Sequence, residues 1–435
     1  IPVPFVCPDG RCLVKSLTPL TRFIAAALLL AFSLTACSRD AGNRFTSLTE
    51  TSDVSDLVSA PSATDPGWTV DLTDKLYANL TLPTASGPIA LFHTSRPATS
   101  DDSVKGTTVG TTTLVSLNPD TGSVRWARTL GSDPVADTAD SDTHQSLLDS
   151  SRKKLRHSDD EEAGYATVSP NGRYLAIQAR AHMVSEKSTD PGDQRVGIVV
   201  LDTDTGNEVR TVEVSGIVLA HALTDDSLAV ETAQNFFPAG SGTLTLFSLG
   251  DTRAEPTTLR TDQWLAGTTH DSLLLAPNEL TELRWGLPTP CTVTRLSTTG
   301  ETLGTVTGAR VVLPGGWVER FKDPEAAATT LAQESSASGV ATELVHVETG
   351  TIIDATGFRV SAETLPTGPG IRLYTNTTAD EDQWDKIENR TTYSWFPATP
   401  DSTALRTDDM PWITDHVTTD DKRILSREII HMEKS

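Results

Sequence analysis

The chain has 435 residues, 37% of them hydrophobic and 21% charged, and 58 Asp and Glu against 35 Lys and Arg leave a net charge of −23. So acidic a chain repels nucleic-acid backbones and anionic headgroups, which excludes phosphate-backbone binding. The length supplies a large core, while abundant Thr, Ser, Asp and Gly point to many short strands joined by turns.

Residues 1–14 carry Cys7, Cys12 and three prolines, a composition foreign to a signal peptide, and read as an over-extended gene start with the true beginning near Val14. Lys15 and Arg22 then precede the uncharged run from Phe23 to Leu34. That run suits the apolar region of a secretory signal and falls short of the about 20 residues of a spanning helix. Leu34-Thr35-Ala36-Cys37 resembles a bacterial lipobox. The resemblance implies that Cys37 receives diacylglycerol, becomes the mature N-terminus and holds the protein on the extracytoplasmic face of the cell membrane. Several acyl chains on one residue anchor far more firmly than one.

Losing residues 1–36 removes Arg11, Lys15, Arg22 and Asp9 and leaves the mature chain more acidic still. Only Cys37 and Cys291 then remain, too few for a disulfide framework. Cys291 follows Pro290 at a strand start and reads as a half-buried structural thiol.

Residues 38–66, rich in Ser, Thr, Asp and Ala without apolar periodicity, read as a flexible tether. Strand patterns follow at Trp68–Leu72, Ile89–His93, Thr112–Asn118 and Arg125–Leu130. Residues 131–162 interrupt them with Asp-rich sequence and with Arg152–Arg156 against Asp159–Glu162, the mark of a solvated loop insertion.

One refrain organises the rest: an alternating strand, a Thr-Gly turn and a second strand. It runs from Leu114 through Asp120-Thr121-Gly122 to Trp126, and from Val199 through Asp204-Thr205-Gly206 to Val212. Weaker copies end at Gly250, Gly300 and Gly350, so the turn glycines step by 84, 44, 50 and 50 residues. Self-similarity at about 40–50 residues with strand periodicity is the signature of propeller blades. Hairpins recur between refrains at Tyr165–Ile177, Val218–Val230, Val311–Glu319 and His416–Leu425, and read as the inner strand pair of each blade, the refrain being the outer pair. The expected fold is therefore an all-β propeller of four-stranded antiparallel blades over 67–435. Seven blades are expected, with six or eight as alternatives, near 68–130, 163–215, 216–266, 267–308, 309–357 and 358–408, and the last beginning near 411. The chain ends after only two strands of the last blade, and rings close to avoid bare edges, so Trp68–Leu72 is expected to complete it. A C-terminally truncated gene is the alternative.

The segment Asn118-Pro-Asp-Thr-Gly-Ser-Val-Arg-Trp126 resembles the repeat of quinoprotein-dehydrogenase-like propellers, in which Asp, Thr-Gly and a Trp four residues on dock neighbouring blades. The resemblance gives that role to Asp120, Thr121, Gly122 and Trp126, and to Asp204, Thr205, Gly206, Gly300 and Gly350 in later copies. Arg210 stands at the Trp position of the second copy. Ser169-Pro-Asn-Gly-Arg-Tyr-Leu-Ala176 is similar to the Ser-Pro-Asp-Gly turn of other, WD40-like propellers. The cofactor-contacting set, calcium site and vicinal cysteines of the quinone oxidoreductases have no counterpart in the sequence, so no cofactor is expected.

Asp202-Thr-Asp204-Thr-Gly206 has part of a calcium-loop spacing, but Glu213 at its twelfth position lies in an expected strand, and the loop reads as an Asx turn. The nine histidines are scattered without a ligand pair, and His221 and His346 read as packed or blade-spanning strand residues. No nucleophile-elbow, Walker A or zinc signature is present, and no metal site is expected. Trp264, Trp285, Trp317, Trp384, Trp395 and Trp412 read as fillers between blades. The acceptor patterns at Asn376 and Asn389 read as incidental.

The expected function is a membrane-anchored envelope lipoprotein whose propeller is a protein-interaction scaffold, with no nucleic-acid partner. The alternative is a ligand binder or quinoprotein-like enzyme using the central channel, with Asp225 and Asp226 favouring a cationic substrate. A purely structural surface protein is a third possibility.

Overall fold

A computed structural model describes residues 46–63, 68–72, 79–82, 84–97, 108–132, 166–179, 182–183, 190–234, 242–277, 290–334, 340–355, 359–361, 370–376, 391–397, 405–406, 414–420 and 423–432. Their strands fall into six sheets, joined by antiparallel pairing throughout. The first is a meander of Asn79–Leu82, Ile89–Pro97, Thr108–Leu117 and Val124–Ser132. The second is built on Ala166–Val168, Tyr174–Gln178, Gln194–Asp202 and Glu208–Ser215, the third on Ile217–Leu223, Ser227–Ala233, Thr243–Ser248 and Thr257–Leu259.

A seven-stranded sheet follows, and it divides in two. The strand Thr302–Leu313 pairs through 302–309 with Cys291–Ser297 and through 309–313 with Trp317–Phe321. Gly308, at φ 72°, is the bend between the two roles, so one strand ends the fourth unit and begins the fifth. The sixth unit comprises Arg359–Ser361, Gly370–Asn376, Thr391–Pro397 and Leu405–Arg406. The seventh takes Thr414–Asp420 and Arg423–Met432 from the C-terminal end, and Trp68–Asp71 and Ser62–Ala63 from the N-terminal end. The pairing Ile429↔Asp71 through Met432↔Trp68 joins the two ends, as the bare last blade demanded.

The core shows how the units stack. Ile198 and Val200 pack with Val218, Leu228 and Val230 of the third unit. Val199 and Leu201, one residue out of step, pack with Ile89, Leu91, Leu114 and Trp126 of the first. Alternate side chains of one strand thus enter cores on opposite faces of its sheet, and the pattern repeats between units three and four and between four and five. Because both faces are covered, strands such as Ile89–Phe92 and Leu273–Ala276 read as unbroken apolar runs and are fully buried. Such face-to-face stacking of four-stranded sheets, closed by pairing of the two ends, is a β-propeller. The innermost strands of units three, four and five each carry a bulge, at 218–220, 265–267 and 309–311.

Three expectations need correction. Residues 46–63, placed in the flexible tether, belong to the fold. Thr46–Glu50 is a fifth strand on the outer edge of the first sheet, and Val58 is buried. Trp68–Asp71 lies in the closing unit and not also in the first. The third and fourth units part between Leu259 and Gln263 instead of at 266, because the hairpin Gln263–Thr268 and Ser272–Pro277 turns on Thr269-His-Asp-Ser272 without Gly or Pro. An 11-residue helix, Pro324–Glu334, links the second and third strands of the fifth unit within an otherwise β fold. Asp323 caps it by accepting from the Ala326 N–H at 2.9 Å, and Pro324 opens its first turn. No helix among the described residues is long and apolar enough to cross a membrane. Of the loop expected at 131–162, Gly131 and Ser132 instead end the strand Val124–Ser132, and the rest lies outside the described residues.

Candidate functional site

The turns of the refrains and of the inner hairpins are stitched to one another from blade to blade. Each refrain turn is built around the residue that closes its third strand. Asn118 Oδ1 accepts from the N–H of Asp120 at 2.8 Å and of Thr121 at 3.1 Å. Asp202 Oδ1 accepts from Asp204 and Thr205 N–H, both at 3.1 Å. Ser248 Oγ accepts from Asp251 N–H, Ser297 Oγ from Glu301 N–H and His346 Nδ1 from Thr349 N–H. The loop at 202–206 is thus an Asx turn. Gly122, Gly206, Gly300 and Gly350 all lie at φ between 66° and 91°, where an L side chain is strained.

The refrain residues dock one blade on the next. Trp126 lies on the second blade's turn and donates from Nε1 to the Thr203 carbonyl at 3.2 Å. Its ring fits so closely over Gly206 that a Cβ there would lie 2.5 Å from Cδ2. Arg125 bonds the Ser86 carbonyl at 2.7 Å and pairs with the Asp204 carboxylate. Arg210, at the Trp position of the second copy, reaches the third blade's turn in the same way. Its guanidinium donates to the Ser248 carbonyl at 2.5 Å and lies 5.4 Å from the Phe247 ring centroid. The substitution therefore preserves the docking and changes its chemistry.

The hairpin turns complete the chain of contacts. Thr84, Ser169, Thr224 and Thr269 each open a hairpin turn with a buried hydroxyl group bonded within the turn. Ala85 N–H donates to the Gly172 carbonyl at 3.0 Å, and Asn171 N–H to Asp225 Oδ1 at 2.9 Å. Asp225 N–H donates to the His270 carbonyl at 2.9 Å, and Thr268 Oγ1 to the Leu223 carbonyl at 2.6 Å. His270 Nδ1 lies 2.6 Å from Glu348 Oε1 in the fifth blade. A continuous line of bonds therefore crosses five blades.

Its densest point gathers residues that the sequence scatters. One ligand-type atom each from His270, Asp271 and Glu348 lies within 4.8 Å of the others. Arg295 Nη2 reaches Asp271 Oδ1 at 3.0 Å and Glu348 Oε1 at 3.3 Å, while its Nε donates to Ser272 Oγ at 2.7 Å. The guanidinium already supplies the positive charge that the carboxylates call for, which makes the group an ion network. Partial burial works against charge on His270, but the hydrogen bond and charge of Glu348, with Asp271 and Asp225, hold its pKa above the ordinary value. Burial likewise opposes charge on Asp271, and hydrogen bonds from Arg295 and Ser272 overcome it and lower the pKa. Burial raises Asp225 and lowers His346. His346 is buried, with Nε2 2.9 Å from the Gly315 carbonyl and Trp317 edge-on at 5.0 Å.

Of the residues expected from sequence, Asp120, Thr121, Gly122, Trp126, Asp204, Thr205, Gly206, Gly300 and Gly350 lie in these turns and contacts. Asp225 and Asp226 spend their carboxylates on Asn171 and on Thr224 and Ser227. Trp264 and Trp317 are buried in the core as expected, and Cys291 is half-buried. Leu34, Thr35, Ala36, Cys37, Trp285, Trp384 and Trp412, and the side chain of Trp395, lie outside the described residues. Sequence reading missed the ion network, whose members span 225–348. It also missed the turn-opening hydroxyl groups, which recur at 84, 169, 224 and 269 and were a signal in plain view.

No protein-family model matches the chain, and no curated protein matches it in sequence. Solved structures of similar form include the β-propeller domain of the trilobed protease from Pyrococcus furiosus, 9% identical, with 78% of this chain and 86% of that one covered at a TM-score of 0.38. TolB from Acinetobacter baumannii is 11% identical, with 71% and 77% covered at 0.27. The acylaminoacyl peptidase of Pyrococcus horikoshii is 12% identical, with 81% of this chain but only 51% of the peptidase covered at 0.41.

Proposed function

We propose that this protein is a lipid-anchored, extracytoplasmic β-propeller that serves as a protein-interaction scaffold in a bacterial cell envelope. The observation that carries this reading is the line of turn-to-turn bonds across five blades. Contacts such as Ala85 to Gly172, Asn171 to Asp225 and His270 to Glu348 hold the turns in fixed relation, and a pre-organised surface binds a partner at lower entropic cost. The lipobox at Leu34–Cys37 supplies the membrane address, with Cys37 as the lipidated residue. A net charge of −23 suits a partner with a basic face and disfavours nucleic acid. Affinity purification of tagged protein from crosslinked native membranes, beside a Cys37→Ala control, tests the reading. A reproducible partner lost in Cys37→Ala is expected. A blank from folded, membrane-held protein overturns it.

A second reading, ligand binding at the same turns or the channel, draws on the convergence of His270, Asp271, Arg295 and Glu348. A metabolite-library thermal-shift screen with no hit on folded protein would count against it.

A further inference from the structure

The segment 46–63 touches two sheets whose strands are far apart in sequence. Thr46–Glu50 pairs residue by residue with Ser132 to Arg128 on the outer edge of the first blade. Side chains reinforce that seam: Thr51 Oγ1 lies 2.7 Å from Thr129 Oγ1, and Thr51 N–H donates to the Ala127 carbonyl at 3.1 Å. A tight turn follows, in which Asp53 accepts from Ser55 N–H at 3.0 Å and the N–H groups of Leu57 and Val58 donate to the Val54 carbonyl. Val58 is 5% exposed and bridges to Leu72 of the strand region that closes the ring. It shares one core with Val70 of the closing blade and with Ala90, Phe92, Val115, Leu117 and Ala127 of the first, and Val54, Leu57 and Leu72 pack against that core. Ser62–Ala63 then pairs with Trp68–Asp71 as the outermost strand of the closing blade.

We propose that residues 46–63 form a clasp that locks ring closure, one end paired to the first blade, the other to the closing blade, and Val58 as the plug between them. Pairing of Trp68–Asp71 with Arg423–Met432 closes the ring in one sheet, and the clasp ties that sheet to its neighbour. It also covers the outer edge of the first blade, which would otherwise present unpaired backbone groups to other chains. The two sheets are thereby made to open as one unit, and detaching the middle of the clasp releases both. This inference is independent of the anchor and of any partner.

Amide hydrogen exchange of the full chain, read on peptides covering 124–132 and 423–432, tests it. In Val58→Asp both peptides are expected to exchange faster together, by about tenfold or more, with Val58→Ala intermediate and readable should the charged variant fail to fold. Thr49→Pro, which strips the edge strand but keeps the plug, is expected to free 124–132 alone. Faster exchange in 124–132 with 423–432 unchanged in the Val58 variants overturns the clasp, and so does wild-type exchange in both peptides.

Discussion

Replacing Gly206 by Ala probes the docking of the first blade on the second. Gly206 lies at φ 66°, and an added Cβ would lie 2.5, 2.7 and 2.9 Å from three atoms of the Trp126 ring. The left-handed conformation costs a residue with a Cβ roughly 1–2 kcal/mol. Pressing a methyl group into a packed, rigid ring adds roughly 1–3 kcal/mol, for about 2–5 kcal/mol altogether. Trp126→Ala alone removes a ring that is 8% exposed, and costs about 3–5 kcal/mol. With the ring gone, Gly206→Ala retains only its backbone part, so the double variant falls short of the sum by about 1–3 kcal/mol. Two other glycines calibrate the series. Gly350 shares the conformation, at φ 72°, but has nothing within 4 Å of its would-be Cβ; Gly250 lacks both the conformation and the neighbour. The expected order of cost is Gly206→Ala, then Gly350→Ala, then Gly250→Ala near zero. Urea unfolding followed by circular dichroism measures all of these. An additive double variant, or Gly350→Ala as costly as Gly206→Ala, refutes docking through this contact.

The His270 imidazole is held above its ordinary range, so its contribution to stability is present below about pH 6.5 and lost as pH rises through its folded value. The stability gap between wild type and His270→Gln is therefore expected to narrow as pH rises, and thermal melts at a series of pH values that show a widening gap contradict the assignment. His346 has the opposite sign: burial lowers its pKa, so its protonation in the unfolded chain erodes stability as pH falls below about 6.5. Buried Glu231 accepts from the backbone N–H groups of Gly242 at 3.0 Å and, across the blade seam, of Leu265 at 2.9 Å. Glu231→Gln brings one acceptor oxygen where two are used, and should cost about 1–3 kcal/mol in a urea melt. Asp323→Ala removes the helix cap and should cost about 1 kcal/mol, with faster amide exchange confined to the first turn of Pro324–Glu334.

What the sequence discloses and what it hides follow one physical division. Turn chemistry is local: Asp202-Thr-Asp-Thr-Gly206 states its own Asx turn within five residues, and the refrain period then gives the fold class. Unbroken apolar runs such as Ile198–Leu201 announce strands covered on both faces. The expected tether misled over 46–63 because Val54, Leu57 and Val58 are spaced for a single irregular plug, which has no period to detect. The ion network was illegible for a different reason. Asp225, His270, Arg295 and Glu348 lie 25 to 123 residues apart, and each looks like an ordinary solvated charge until the turns of three consecutive blades are stacked. Arg210 falls between these cases. Its place at the Trp position of the refrain was visible in the sequence, but the contact it makes there was not. The structure shows a planar donor reaching the next turn's carbonyl group in both copies, an indole at Thr203 and a guanidinium at Ser248. At these two seams one geometric task is met by two residue types, while Ala254, Gly304 and Asp354 stand at the same position of the later copies, so residue identity in the repeat does not by itself disclose which seams dock this way.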